Sequence, residues 1–445
     1  MNPTSRSLHS LQTVLFGGAV VVSASGIGLC WQHPAEAALE DSPKVIVDEA
    51  WQLVNRHYVD ETFNKTDWKE TRRELLSRNY TSTKQAYTAL REALQPLNDP
   101  YTRFMAPSEY ESLTSQTSGE LSGVGIRMEI NKKTKVLTVV EPLPGSPATK
   151  AGLTAGDRII EIDGKPTAKL DIKESSKLIR GQSGTQVKFL IQRKGTKKFE
   201  VAIERAVIEL SAVTSRIQRE GGNRIGYIRL NEFSAHASEQ IKAAIERLTA
   251  EKADGFVLDL RGNPGGLLNA SIDIADMWLD RGLIVRTVNR QGTNENVKAR
   301  TKSLTQKPLA VLVDGNSASS SEILTGALQD NGRAKVIGST TFGKALVQSV
   351  HQLSDGSGLA VTVAHYYTPK GTDINHKGIT PDIQVKLSEG QKILLSTNPK
   401  MLATFSDPHY TQAIRTLQQG IRAQKGQPDS TVINKAVVPK AFHQN

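Results

Sequence analysis

Residues 309–348 read LAVLVDGNSASSSEILTGALQDNGRAKVIGSTTFGKALVQ. The apolar run Leu309, Ala310, Val311, Leu312, Val313 is long enough for a buried strand. Asp314-Gly315-Asn316 breaks it, as a turn or a helix start would. Four serines follow in five positions: Ser317, Ser319, Ser320 and Ser321. From Glu322 the spacing becomes helical, with Ile323, Leu324, Ala327 and Leu328 on one face. Strand, sharp turn, helix is an αβ unit that sets a hydroxyl beside the free N–H groups and positive dipole end of a helix.

A serine hydroxyl attacks well only if a base takes its proton. No histidine lies in this stretch, but Lys344 does, within Thr341-Phe342-Gly343-Lys344-Ala345-Leu346-Val347-Gln348. A free lysine titrates near 10.4, so to serve near neutrality its pKa must fall by roughly 3 units. Burial among Ala345, Leu346 and Val347 would act in that direction, because desolvation penalises the ammonium. If the piece is helical, Gln348 shares a face with Lys344 and can orient the amine. The residues alone leave blander roles open. Serines cap helices, and a lysine beside apolar residues can simply snorkel. Nor do they choose among the four serines, and Gly315-Asn316-Ser317-Ala318-Ser319 fails the Gly-x-Ser-x-Gly elbow.

The stretch closely resembles the C-terminal processing peptidases, also called tail-specific proteases. The shared motifs are Ser319-Ser320-Ser321-Glu322-Ile323, the segment 326–334, Thr341-Phe342-Gly343-Lys344, and Gln348. The resemblance implies Ser319 as nucleophile, Lys344 as general base and Gln348 as its orienting partner. It also implies an oxyanion loop in Asp259-Leu260-Arg261-Gly262-Asn263-Pro264-Gly265-Gly266, with Gly265 and Ser320 amides as donors. Ser320 departs from the family, which commonly has a small apolar residue there. The implied fold is a multidomain α/β protein: an N-terminal helical region, a PDZ domain and a mixed αβ, ClpP/crotonase-like catalytic core.

The remainder fits that order. Residues 1–37 read as an export signal, with Arg6, an apolar run over 11–29, and Ala35-Glu36-Ala37 at the cleavage positions. The alternative is an uncleaved anchor. The expected location is the periplasm or thylakoid lumen. Residues 38–118 read as helices and are given no chemistry. Residues 119–206 resemble a PDZ domain. Gly123-Val124-Gly125-Ile126 stands where such domains place a carboxylate-binding loop, followed by Gly156-Asp157-Arg158-Ile159-Ile160-Glu161-Ile162-Asp163-Gly164. Successive backbone N–H groups there would nest a substrate's terminal carboxylate, and an open strand edge would add the peptide as a strand. Val124, Gly125 and Ile126 are the expected peptide-binding positions, and Arg180 the contact that reports binding. Residues 207–385 read as the catalytic αβ domain, and 386–445 as a polar helical and flexible tail with one helical stretch near Tyr410 to Ile421.

Composition excludes other chemistry. The one cysteine, Cys30, permits neither a disulfide nor a cysteine-based metal site within the chain. The net charge of +11 is scattered without interleaved aromatics, which argues against nucleic-acid binding. No metal or nucleotide cofactor is expected. The expected partners are proteins with accessible C-terminal tails, among them a membrane protein. The family resemblance suggests a cyanobacterial or plastid-type member, which would mature the photosystem II reaction-centre protein. His236, His351 and His365 would be needed for a histidine triad, but none lies in a matching motif. A non-catalytic lumenal or periplasmic peptide-binding or chaperone module on the same fold is the alternative, as is a carrier of hydrophobic ligands. The intact serine, lysine and glutamine set speaks against both.

Overall fold

The computed structural model describes residues 42–131 and 134–426. The expected signal over 1–37 and the end of the chain lie outside the described residues. Among the described residues no helix is long and apolar enough to cross a membrane.

The N-terminal region is three helices, α1 (Pro43–His57), α2 (Trp68–Ser77) and α3 (Thr83–Leu94), then a short strand β1 (Arg103–Met105) and α4 (Pro107–Ser118). Ser42, Asp67 and Ser82 cap the first three helices by accepting backbone N–H groups. Trp51, Phe63 and Trp68 stack in its core, with Phe63 and Trp68 centroids 5.5 Å apart. That core also contains Leu359 and Val361, which belong to the catalytic domain. The helices are therefore a wall of the catalytic domain rather than a separate unit.

The PDZ domain hangs from a two-stranded neck. Its entering strand is β2 (Glu120–Gly123). Strands β3 (Ile126–Ile130), β4 (Leu137–Pro142), β5 (Arg158–Ile162), β6 (Lys165–Pro166), β7 (Gln186–Gln192) and β8 (Phe199–Glu204) make its sheet, with helices α5 (Pro147–Lys150) and α6 (Ile172–Ile179). The exit strand β9 (Ala206–Glu209) pairs antiparallel with β2.

Two sheets build the catalytic domain. The first uses β10 (Val213–Glu220), β11 (Asn223–Leu230), β12 (Gly255–Asp259), β15 (Leu309–Val313), β16 (Lys335–Gly338) and β19 (Ile383–Gln384), in that order. β11, β12, β15, β16 and β19 run parallel to one another, and β10 is antiparallel to β11. Between them in sequence come helix α7 (Ala237–Ala250), helix α8 (Leu268–Asp276), strands β13 (Leu283–Asn289) and β14 (Asn294–Lys298), and helix α9 (Ser320–Asp330). Strand alternation separates two apolar faces. Leu309, Val311 and Val313 join the core under α7, α8 and α9, while Ala310 and Leu312 join the opposite core. The second sheet is β1, β18 (Gly358–Tyr367), β13 and β14, with β17 (Leu346–Gln352) on the other edge of β18.

The opposite face of the first sheet is covered from the chain's end. After α10 (Glu389–Thr397), helix α11 (Pro408–Gly426) packs Tyr410, Ala413, Ile414, Leu417 and Ile421 onto Ile225, Tyr227, Val257 and Ile337. Burying each Leu or Ile there contributes roughly 1.5–3 kcal/mol. The flexible tail expected from 386 onward is corrected over 408–426: the helix there is a full layer of the domain, because its apolar face covers the sheet.

Candidate active site

The first sheet's parallel strands end together, and their C-terminal loops hold the chemistry, as in other open parallel αβ sheets. After β15, Asp314 accepts N–H bonds from Gly262 and Asn316, both at 3.0 Å. This draws the turn against the Gly-rich loop that follows β12. Three of the four serines then spend their hydroxyls on that loop. Ser317 donates to Leu260 O, Ser320 to Gly266 O and Ser321 to Asn263 O, each at 2.9 Å. Ser317 and Ser321 are fully buried.

Ser319 differs. It precedes α9 with φ +52° and ψ −113°, a left-handed conformation that is strained for a side chain with Cβ. Such strain at a strand–turn–helix corner is what exposes a nucleophile. Gly265, at φ +105°, lies so close that a Cβ there would meet Ala318 O at 2.8 Å and Ser319 Cβ at 3.0 Å. Gly265 N–H points to Asn263 Oδ1, 2.9 Å away. Ser320 N–H belongs to the first turn of α9, where no carbonyl of that helix can satisfy it. Its side chain, the departure from the family pattern, ties the helix start to Gly266.

Ser319, Ser320, Lys344 and Gln348 line one cavity of about 480 Å³, with Tyr101, Leu267, Leu346, Val347 and Tyr366 among its walls. A larger cavity of about 800 Å³ lies by Arg229, Arg261 and Lys392 and contains neither Ser319 nor Lys344. Burial lowers the Lys344 pKa most, and the Arg103 charge adds to this. Asp99 and Glu322 oppose both. The amine sits over the Tyr101 ring, 4.4 Å from its centroid. Among the described residues, the hydrogen bonds of this site do not include one between the Ser319 hydroxyl and that amine.

The conditional helix over Lys344 to Gln348 is a correction. Leu346–Gln352 is strand β17, and Lys344 stands just before it. Pairing with β18 overrides the local spacing, and a register shift falls between Val347 and Gln348. Gln348 Nε2 donates to Thr362 Oγ1 at 3.4 Å, so its amide is turned toward β18.

One residue given no role in the sequence organises the site. Glu322 is fully buried, and its carboxylate accepts four hydrogen bonds. Oε1 takes Thr341 Oγ1 at 2.6 Å and Gly343 N–H at 2.7 Å. Oε2 takes the backbone N–H groups of Ser319 and Lys344, both at 2.9 Å. A single oxygen therefore joins the two loops that carry hydroxyl and amine. Burial pushes its pKa up, while those bonds pull the other way. Ser319-x-x-Glu322, the spacing of a capping box, was the signal that could have found it. Tyr366 adds a second tie, its hydroxyl reaching Ser319 O at 3.1 Å and also Lys344 O.

The PDZ positions lie apart from this cavity. Val124 is buried, and Gly125, at φ +75°, brings its backbone against Ser146. Val124 O and Gly125 O accept from Ala148 N–H at 2.9 Å and Leu143 N–H at 2.8 Å, which fixes the loop before Ile126 opens β3. Arg180 is exposed at the end of α6. The next residue, Gly181, accepts from Ser122 Oγ of the neck at 2.6 Å.

Comparison with known proteins agrees with this architecture. The family model for PDZ domains matches residues 138–193, and that for peptidase family S41 matches residues 224–385. A carboxyl-terminal-processing protease of Picosynechococcus sp. is 48% identical over 335 residues, covering 75% of this chain and 81% of that protein. Another, from Synechocystis sp., is 46% identical over 384 residues, covering 86% and 88%. A solved structure described as a photosystem II D1 C-terminal processing protease is 36% identical, with a TM-score of 0.48, covering 78% of this chain and 93% of that one. The chain belongs to peptidase family S41, as one of the carboxyl-terminal-processing serine proteases.

Proposed function

We propose that Ser319 is the nucleophile and Lys344 its general base, and that the enzyme cleaves proteins near their C-termini. The observation that carries this is the sorting of the serines. Three hydroxyls are spent on the Gly-rich loop, and Ser319 alone combines the strained backbone with a place in the lysine's cavity. Burial lowers the Lys344 pKa, which makes the free amine that the reaction uses easier to form. That amine takes the Ser319 proton as Oγ bonds to the scissile carbonyl carbon. The carbonyl oxygen, now anionic, is held by the amides of Gly265 and Ser320, with Gly265 N–H turning from Asn263. As the intermediate collapses, the C–N bond breaks and Lys344 returns the proton to the leaving amine. Water then hydrolyses the acyl-enzyme by the same path. Gln348, which lines the same cavity, is the orienting partner of the amine, its amide turning from Thr362.

The PDZ loop at Val124, Gly125 and Ile126 binds the substrate's terminal carboxylate, and Arg180, beside the neck, couples that event to the cavity. The enzyme works after export, in a periplasm or thylakoid lumen. One substrate is the photosystem II reaction-centre protein, a membrane protein trimmed at its C-terminus; the cyanobacterial sources of the similar proteases favour this reading. The test is cleavage of an unstructured protein by wild type, Ser319→Ala and Lys344→Ala. Both variants should lose at least about 1,000-fold in kcat. Cleavage by either at the wild-type rate would reject the pair.

A further inference from the structure

The N-terminal segment, left without chemistry by its sequence, reaches the reacting groups. Asp99 accepts Tyr101 N–H at 2.9 Å and Thr102 Oγ1 at 2.6 Å, a tight turn. Thr102 is buried, and its hydroxyl oxygen accepts Thr362 N–H at 3.0 Å. The chain then runs into β1, paired with β18. Tyr101 is thus fixed to the sheet strand that also carries Tyr366, and its ring lies 4.4 Å from Lys344 Nζ. An aromatic face attracts an ammonium through its quadrupole and has no such attraction for a neutral amine.

We infer that Tyr101 is a positioning residue for the general base: its ring is a resting seat that holds Lys344 as an ammonium away from Ser319. The inference rests on Lys344 being the base. To act, the ammonium gives its proton to water, leaves the ring as a free amine, and accepts the proton of Ser319 Oγ. The other charges around it are Arg103 from β1, which disfavours the ammonium, and Asp99 and Glu322, which favour it. The phenols of Tyr101 and Tyr366 are both pushed up by burial and stay neutral. Ring and amine both line the cavity, so a bound peptide meets the pair together.

The experiment measures kcat/KM against pH for the full chain carrying Tyr101→Leu, Tyr101→Met or Tyr101→Phe, on an unstructured protein substrate. Leucine and methionine keep apolar bulk and remove the ring face. Burial then still disfavours the ammonium, while the contact that favoured it is gone, so the lysine pKa falls further. Because the free amine is the active form, the acidic limb should move to lower pH by about half a unit. Phenylalanine keeps the face and should keep the limb. Profiles of both aliphatic variants superposing on wild type would overturn the inference, as would an equal shift in the phenylalanine variant. Thermal melts confirm folding, and either aliphatic variant that folds decides the matter. Lys344→Ala separates the two readings. If it stays active, the base assignment has failed; if it is inactive while the aliphatic profiles do not move, only the seat has failed.

Discussion

Glu322 shows how much of this site is backbone held by a side chain. Its two oxygens collect donors from Ser319 and from the loop of Lys344, in a place closed to bulk solvent. Glu322→Gln keeps the volume and turns one acceptor into a donor. Either orientation sets an NH2 group against two existing donors. Leaving such groups unpaired costs about 1–3 kcal/mol, and a displacement near 1 Å at the reacting atoms costs about 100-fold in rate. The expected outcome is a kcat lower by about 100-fold, with KM little changed, in a protein that still unfolds cooperatively. A wild-type kcat would show that the clamp is dispensable. In sequence, Ser319, Lys344 and Gln348 were legible as residue types with matching chemistry and motif. Which hydroxyl is unspent was not, because Leu260 O, Asn263 O and Gly266 O lie far from these serines along the chain.

At the scale of elements, the Gly-rich loop after β12 and the corner before α9 interlock. Gly265 and Gly266 hold φ +105° and +142°, and the Gly265 backbone touches the corner itself. Gly265→Ala adds a methyl group where Ala318 O would lie at 2.8 Å, in a conformation costly for alanine. The loop must shift away from Ser319 and carry the Gly265 N–H, the proposed oxyanion donor, with it. Activity should fall by at least about 100-fold, measured as kcat/KM beside an unfolding curve; activity within twofold of wild type would remove Gly265 from the oxyanion site. Strand β17 carries the opposite lesson. The spacing of Lys344 and Gln348 suits a helix as well as a strand, and only the ladder to β18 selects the strand.

Across the whole molecule, the catalytic sheet is held by pieces from both ends of the chain. The N-terminal helices share a core with β18 and present Tyr101 to the lysine. From the other side, α11 is fastened by a buried ion cluster. Arg261 pairs with Asp259 at 2.6 Å and with Asp407 at 2.7 Å. The guanidinium beside it holds the Asp259 carboxyl at about 2 despite full burial. Arg261 lies in the same loop as Gly265, so this anchor steadies that loop from behind. Asp407→Asn halves the compensation of a buried cation and should destabilise the protein by roughly 3 kcal/mol, read from chemical denaturation. An unchanged midpoint would mean that Asp259 alone suffices. The same variant should lose activity less than Gly265→Ala does, since the loop itself remains intact.

By itself, the sequence determined what depends on neighbours along the chain: the strand–turn–helix of 309–330, the glycine turns, the PDZ segment and the order of motifs. Local spacing and turn chemistry carry those features. Tertiary structure decided the rest. It left Ser319, of the four serines, with its hydroxyl off the Gly-rich loop, drew Leu346 to Gln348 into a strand edge, made α11 a layer of the core and brought Tyr101 from the N-terminal wall to Lys344. Each of these depends on a partner more than ten residues away, and no local pattern records where a distant carbonyl, ring or strand edge will come to lie.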